Sequence, residues 1–145
     1  MQLPEFMDRV EERRETASRA RVEELVKASL ATLGERLYRT ERDELKAQLP
    51  KDMEGFLERE SIREAQPIDT EGFSLEEYYQ RVAARTEVGF PEVVEWSRDV
   101  MAVLEEAVSA TVIEEMLSTL PDSYRGLFGR EPESPASPTA LSEES

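Results

Sequence analysis

The residues able to do chemistry in this chain are carboxylates, tyrosines and arginines, because its 145 residues include no cysteine and no histidine. Without cysteine there are no disulfides, thiolate nucleophiles or thiolate metal sites. Without histidine the chain lacks the usual proton shuttle near neutral pH and the commonest transition-metal ligand. Most hydrolase and metalloenzyme designs are thereby excluded. Carboxylate pairs remain at Glu11/Glu12, Glu23/Glu24, Glu76/Glu77, Glu105/Glu106 and Glu114/Glu115. They have the right chemistry for a divalent cation or for acid–base work. Adjacent residues on a helix point ~100° apart, however, and do not grip one ion unaided, so these pairs read as solvated helix faces and caps. No Asp-x-Asp-x-Asp-Gly calcium loop and no Gly-rich phosphate loop is present.

Tyr78, Tyr79, Trp96 and Tyr124 could line a ligand pocket with apolar contact and polar tips. Arg9 and Arg13, with Arg81 and Arg85 at the same four-residue spacing, could form an anion site. Core packing for the aromatics and pairing with acidic neighbours for the arginines are the preferred readings. No catalytic, cofactor-binding or metal residue is assigned, and no cofactor is expected.

The elements that position these groups come twice. Leu3 to Arg13 reappears 72 positions later as Leu75 to Arg85 with 5 identities in 11, and residues 20–57 reappear 71 positions later as 91–128 with 10 in 38. One residue lost between Arg13 and Ala20 accounts for the change of offset, in an expected helix-to-helix turn where length is cheap. Each aromatic named above aligns with an apolar residue of the first copy, namely Phe6, Met7, Leu25 and Met53.

Within each copy the apolar spacing is helical. Leu3, Phe6, Met7 and Val10, then Leu75, Tyr78, Tyr79 and Val82, mark a first amphipathic helix. Ser74 with Glu77 makes a capping box at the second start, where the first copy has Gln2 and Pro4. A long central helix follows along Val22, Leu25, Val26, Leu30, Leu33 and Leu37, matched by Val93, Trp96, Val100, Met101, Leu104 and Val108 behind Pro91. Thr40 and Thr111 read as N-caps of a short helix carrying Leu45 and Leu49, or Ile113, Met116 and Leu120. Pro50 and Pro121 end it, because the residue before proline leaves the helical region. A last short helix holds Met53, Phe56 and Leu57, or Tyr124, Leu127 and Phe128.

The expected architecture is therefore all-α: two tandem pseudo-symmetric four-helix units, 3–57 and 73–128, packed into one helical domain because ~55 residues are near the limit for folding alone. Residues 58–72 form a connector. The tail 129–145, with three prolines and a single leucine, has too little apolar surface to offset ordering entropy and is expected to be disordered. Hydrophobic residues make up 39% and charged residues 35%, the balance of amphipathic helices with one buried stripe. No apolar run nears the ~20 residues of a membrane span and no secretory signal is seen, so a cytoplasmic protein is the expectation. The net charge of −15 is uneven: 1–57 carries 11 basic and 13 acidic residues, 73–128 carries 4 and 11. That surface opposes direct binding to nucleic acid or to anionic membranes.

Glu5-Phe6-x-x-Arg9-Val10, Leu30-Ala31-Thr32-Leu33-Gly34-Glu35-Arg36-Leu37 and Ala47-Gln48-Leu49-Pro50 echo in the second copy as Tyr78-x-x-Arg81-Val82 and Leu120-Pro121-x-x-Tyr124-Arg125-x-Leu127-Phe128. With these motifs the chain resembles, over residues 3–128, the prokaryotic family called domain of unknown function 2267. The resemblance implies an all-helical prokaryotic cytoplasmic protein, commonly duplicated internally and without an established activity. It brings no catalytic or binding residues. The second copy departs in lacking Ala-Gln before Leu120-Pro121 and in its low arginine content.

The function expected is a non-enzymatic module that contacts a protein partner or self-associates, as monomer or homodimer. One alternative is a sensor or enzyme with a carboxylate and tyrosine pocket between the repeats, binding a small molecule or metal. Another is a nucleic-acid mimic built on the acidic second copy.

Overall fold

The computed structural model describes residues 1–14, 17–57 and 73–130. The expected connector and the expected tail from 131 onward lie outside the described residues. Every regular element among the described residues is helical: α1 (Leu3–Arg13), α2 (Arg19–Arg36), α3 (Arg39–Gln48) and a 3-10 helix (Lys51–Leu57), then α4 (Leu75–Thr86), α5 (Glu92–Ala107), α6 (Ala110–Ser118) and a second 3-10 helix (Asp122–Phe128). No described helix is long and apolar enough to cross a membrane.

Local chemistry sets the helix boundaries. Ser18 Oγ accepts the Arg21 amide at 3.1 Å and Ser74 Oγ accepts the Glu77 amide at 3.1 Å, each satisfying an orphan donor of the first turn. The expected box at Ser74 is half made, because the Glu77 carboxylate is taken by Arg81 at 2.7 Å. Thr40 and Thr111 are not caps. Both lie inside their helices; Tyr38 precedes α3 without a side-chain cap bond, and Ser109 caps α6 by accepting the Val112 amide at 3.3 Å. Ser109 wins because Val108 is the last position of the α5 stripe, so the chain turns there and not two residues later. Leu49-Pro50 and Leu120-Pro121 form the corners as expected, but the helices after them are wound as 3-10 turns. Gly129, at φ 73°, closes the last of these in the left-handed region, and Arg130, expected in the tail, is tied to Glu105 at 3.0 Å.

One continuous core unites the elements, running from Phe6, Leu25 and Leu33 to Tyr78, Leu104 and Phe128. Helix α2 is its axis: every residue from Ala28 to Gly34 is buried. Helices α1, α4 and α5 and the first 3-10 helix all pack on α2. In addition α1 packs on α5, and α3 packs on α6.

Gly34 is the tightest of these contacts, since a Cβ there would overlap the Leu57 carbonyl at the end of the first 3-10 helix. Alanine inside a helix is ordinarily worth ~1 kcal/mol more than glycine. Here Gly34→Ala is expected to reverse that sign and destabilise by about 2 kcal/mol, as backbone and side chain are forced apart. A thermal melt unchanged or raised relative to the parent would contradict the assignment.

Candidate functional site

The groups singled out for their chemistry converge on the seam between the first and second series of helices. Tyr78, Arg81 and Arg85 lie at i, i+3 and i+7 on α4 and face Ser29, Thr32 and Glu35 at i, i+3 and i+6 on α2. The Tyr78 hydroxyl donates to the Ser29 carbonyl at 2.8 Å. Arg85 grips both Glu35 oxygens at 2.9 and 3.1 Å and donates to Thr32 Oγ1 at 2.6 Å; the Thr32 hydroxyl in turn donates to the Ala28 carbonyl at 2.7 Å. Arg81 bridges Glu35 at 3.2 Å and Glu77 at 2.7 Å. The Glu35 side chain is only 7% exposed, so these cations compensate a charge that has left water.

On the opposite side of the seam α1 and α5 are joined by the same residue types. Arg9 bridges Glu5 at 3.2 Å and Glu106 at 2.7 Å, and Arg14 meets Asp99 at 2.6 Å. Glu5-Arg9-Glu106 and Glu77-Arg81-Glu35 occupy aligned sequence positions, but Arg9 and Glu106 are 44% and 39% exposed. The arginines reserved in sequence for an anion are thus engaged with carboxylates. Glu35 went unnoticed in sequence, although its identity with Glu106 was the available signal.

The aromatic group is core, as expected. Tyr78 and Tyr124 are fully buried, with ring centroids 6.2 Å apart. Tyr124 donates to the Phe73 carbonyl at 2.8 Å, while Arg36, 5.4 Å from its ring, donates to the same carbonyl at 2.8 Å. Burial pushes the hydroxyl pKa of both tyrosines well up. Burial also raises Tyr79. None supplies a phenolate near neutral pH. Phe73, missed in sequence because it stands outside any helical stripe, anchors the start of α4 beneath the Arg81 guanidinium at 4.0 Å.

The carboxylate pairs stay on helix faces, their members turned to separate partners. Glu23 pairs with Lys27, Glu24 with Arg21, Glu105 with Arg130, and Glu114 with Arg125 and Arg130. Among the described residues no three acidic side chains assemble as a cation site. Glu44 of α3 meets Glu115 of α6. Desolvation there, then the Glu115 charge and hydrogen bond, with Glu41 behind, push the Glu44 carboxyl above its ordinary 4.5.

One hollow of about 170 Å³ opens between α1 and α2, lined by Leu3, Pro4, Met7, Arg19, Glu23 and Phe56. Its charges are spent: Arg19 binds Asp8 at 2.7 Å and Glu11 at 2.9 Å, and Glu23 is held by Lys27. It can receive an apolar group but holds no free acid, base or nucleophile. Among the described residues two large apolar side chains stand in solvent, Tyr38 at 62% and Phe90 at 51% exposure.

A family model described as "Uncharacterized conserved protein (DUF2267)" matches residues 4–127. The chain belongs to the DUF2267 family. No curated protein matches it. The match spans the seam and the helices on both sides of it, so the motif residues Arg9, Gly34, Glu35, Arg81 and Tyr124 of this DUF2267 chain are those that close the core and bridge it.

Two outcomes follow. Arg85→Ala leaves Glu35 underpaired in its buried position and is expected to cost about 3 kcal/mol in urea unfolding, whereas Arg9→Ala, exposed, costs less than about 1 kcal/mol. Equal effects would sink the distinction. A raised folded pKa means the fold favours protonated Glu44, so its charge penalty exists above that pKa and is gone below the ordinary value. Glu44→Gln should therefore raise the melting temperature at pH 7 and leave it unchanged below about pH 4; a gain that persists in acid would refute the pairing.

Proposed function

We propose that this DUF2267 chain is an internal duplication, with units 3–57 and 73–128 joined by 58–72 and followed by a tail from 129, and that it acts as a non-enzymatic interaction module in a prokaryotic cytoplasm. Its partner is another protein or a second copy. The observation that carries the reading is the filled seam: Tyr78 and Tyr124 are buried there, Tyr78 and Arg85 are bonded to α2, and Tyr124 is bonded to the Phe73 carbonyl. What supports the duplication is the reciprocity of contact. Helix α1 packs on α5 while α4 packs on α2, and Arg9 with Glu106 repeats as Arg81 with Glu35. Exchange of that kind is the contact pattern of a twofold pair joined into one chain.

A module of this class has no small ligand to lose. Thermal melts with nucleotides, divalent cations and common metabolites are expected to leave the melting temperature unchanged, since a ligand at a hundredfold excess over its Kd would add about 2.7 kcal/mol. Sedimentation alone and with candidate proteins then reports assembly. Tight, stoichiometric binding of a small molecule or metal would overturn the proposal.

A further inference from the structure

We propose that the exposed face of the α4–α5 hairpin around Phe90 is the docking surface, and that its occupant is a basic amphipathic helix of a partner protein; this rests on the interaction-module reading and names the partner's chemistry. The inference comes from comparing the two hairpins position by position. Between α1 and α2 the rim is ionic, with Asp8 and Glu11 binding Arg19, and Glu23 binding Lys27. Asp8, Glu11 and Glu23 align with Gln80, Ala83 and Val94, Lys27 aligns with Arg98, and Phe90 stands in the turn that leads into α5. Three ion-pairing side chains are thus replaced by neutral ones, two of them apolar, beside an exposed Phe90.

The replacement leaves apolar surface in solvent. Phe90 is 51% exposed, and Leu75, Ala83 and Val94 are half-buried at the edge of the core. Leu75 and Ala83 lie eight residues apart on α4, Val94 lies in the first turn of α5 and Phe90 in the turn before it, so apolar side chains line both arms of the hairpin. Such paired arms accept the apolar face of a third helix. A single exposed phenylalanine is ordinary, but one beside further partly exposed apolar side chains marks a contact surface.

Charge selects the occupant. Glu76, Glu87 and Glu92 are exposed on the same hairpin, and the nearby cations are engaged with carbonyls, Arg98 with Gly126 at 2.9 Å and Arg21 with Thr86 at 2.7 Å. A carboxylate rim around an apolar centre is complementary to leucine-like anchors flanked by lysine or arginine. A second copy, itself at −15, would bring like charge to the same rim, and an anionic membrane surface would be repelled.

The test uses the full chain, isotope-labelled, titrated with a synthetic helix of leucines at i, i+3, i+4 and i+7 on a lysine background, in about 0.15 M salt. Saturable one-to-one shifts centred on Ala83, Phe90 and Val94 are expected. Phe90→Ala, a surface change checked by its own spectrum, should weaken binding roughly ten-fold or more. Tyr38→Ala should leave it unchanged, and a leucine–glutamate helix should not bind. Saturable binding centred at Leu3, Met7 and Phe56 would overturn this face while leaving the module reading intact. Shifts scattered over the acidic surface and indifferent to Phe90→Ala, or no binding, would overturn the proposed partner chemistry. Concentration-dependent shifts at the same residues without peptide would assign the face to a second copy, and shifts with neutral phospholipid vesicles to lipid; either defeats the proposal. Small-ligand melts on the same sample report separately on the module reading.

Discussion

The fold depends on a helix with no solvent face. From Ala28 to Gly34 every side of α2 is covered, so cover must come from every direction. Helix α1 and the first 3-10 helix supply part of it, and α4 and α5 supply the rest. Neither series of helices is complete without the other, which is the expected condition of units of ~55 residues. Within this stretch Thr32 donates to the Ala28 carbonyl of its own helix, and helices packed on α2 supply further bonds. Tyr78 does this for the Ser29 carbonyl, and Arg85 for Thr32 and Glu35. Each is a bond that apolar packing alone would not specify, and together they fix where along α2 the helix α4 can rest.

This constraint explains what could be seen in the amino-acid order and what could not. Periodic features were legible: the stripes Val22 to Leu37 and Val93 to Val108 are buried throughout, because a 3.6-residue period has one structural solution at that length. Ser74 was legible as a cap, but the cap of α6 was not, because Ser109 and Thr111 both carry a suitable hydroxyl within three residues and only the exit angle from α5 chooses between them. Glu35 stood in a motif with nothing local to mark it as buried. Its burial follows from the cover of α2 by a helix some fifty residues away, information that no local window holds. Gly34 was visible as part of a motif, but its reason, a carbonyl against its Cα, belongs to tertiary packing.

The chemistry of the chain runs parallel to its mechanics. Without histidine or cysteine, the candidates for proton transfer were tyrosines and carboxylates. Burial moves the tyrosine hydroxyls upward, away from any role as a base at neutral pH, and pairs them with backbone carbonyls. The arginines neutralise carboxylates across the seam. The tyrosines and arginines of the seam are thus engaged in holding helices together.

On the proposed duplication, the two copies show where selection for folding ends. Glu5/Glu77, Arg9/Arg81 and Glu35/Glu106 are the same in both copies and make the same bridges, so their identity has a structural cause. The openings of the two long helices differ: Arg19 begins α2 and Phe90 precedes α5. Arg19 is tied to Asp8 and Glu11, an exposed arrangement worth little in stability. Phe90 is half in water and adds little to the core while lowering solubility. A side chain that the fold does not need, and that water disfavours, is accounted for by something that covers it, and the carboxylates beside it set the charge that the covering surface must bring.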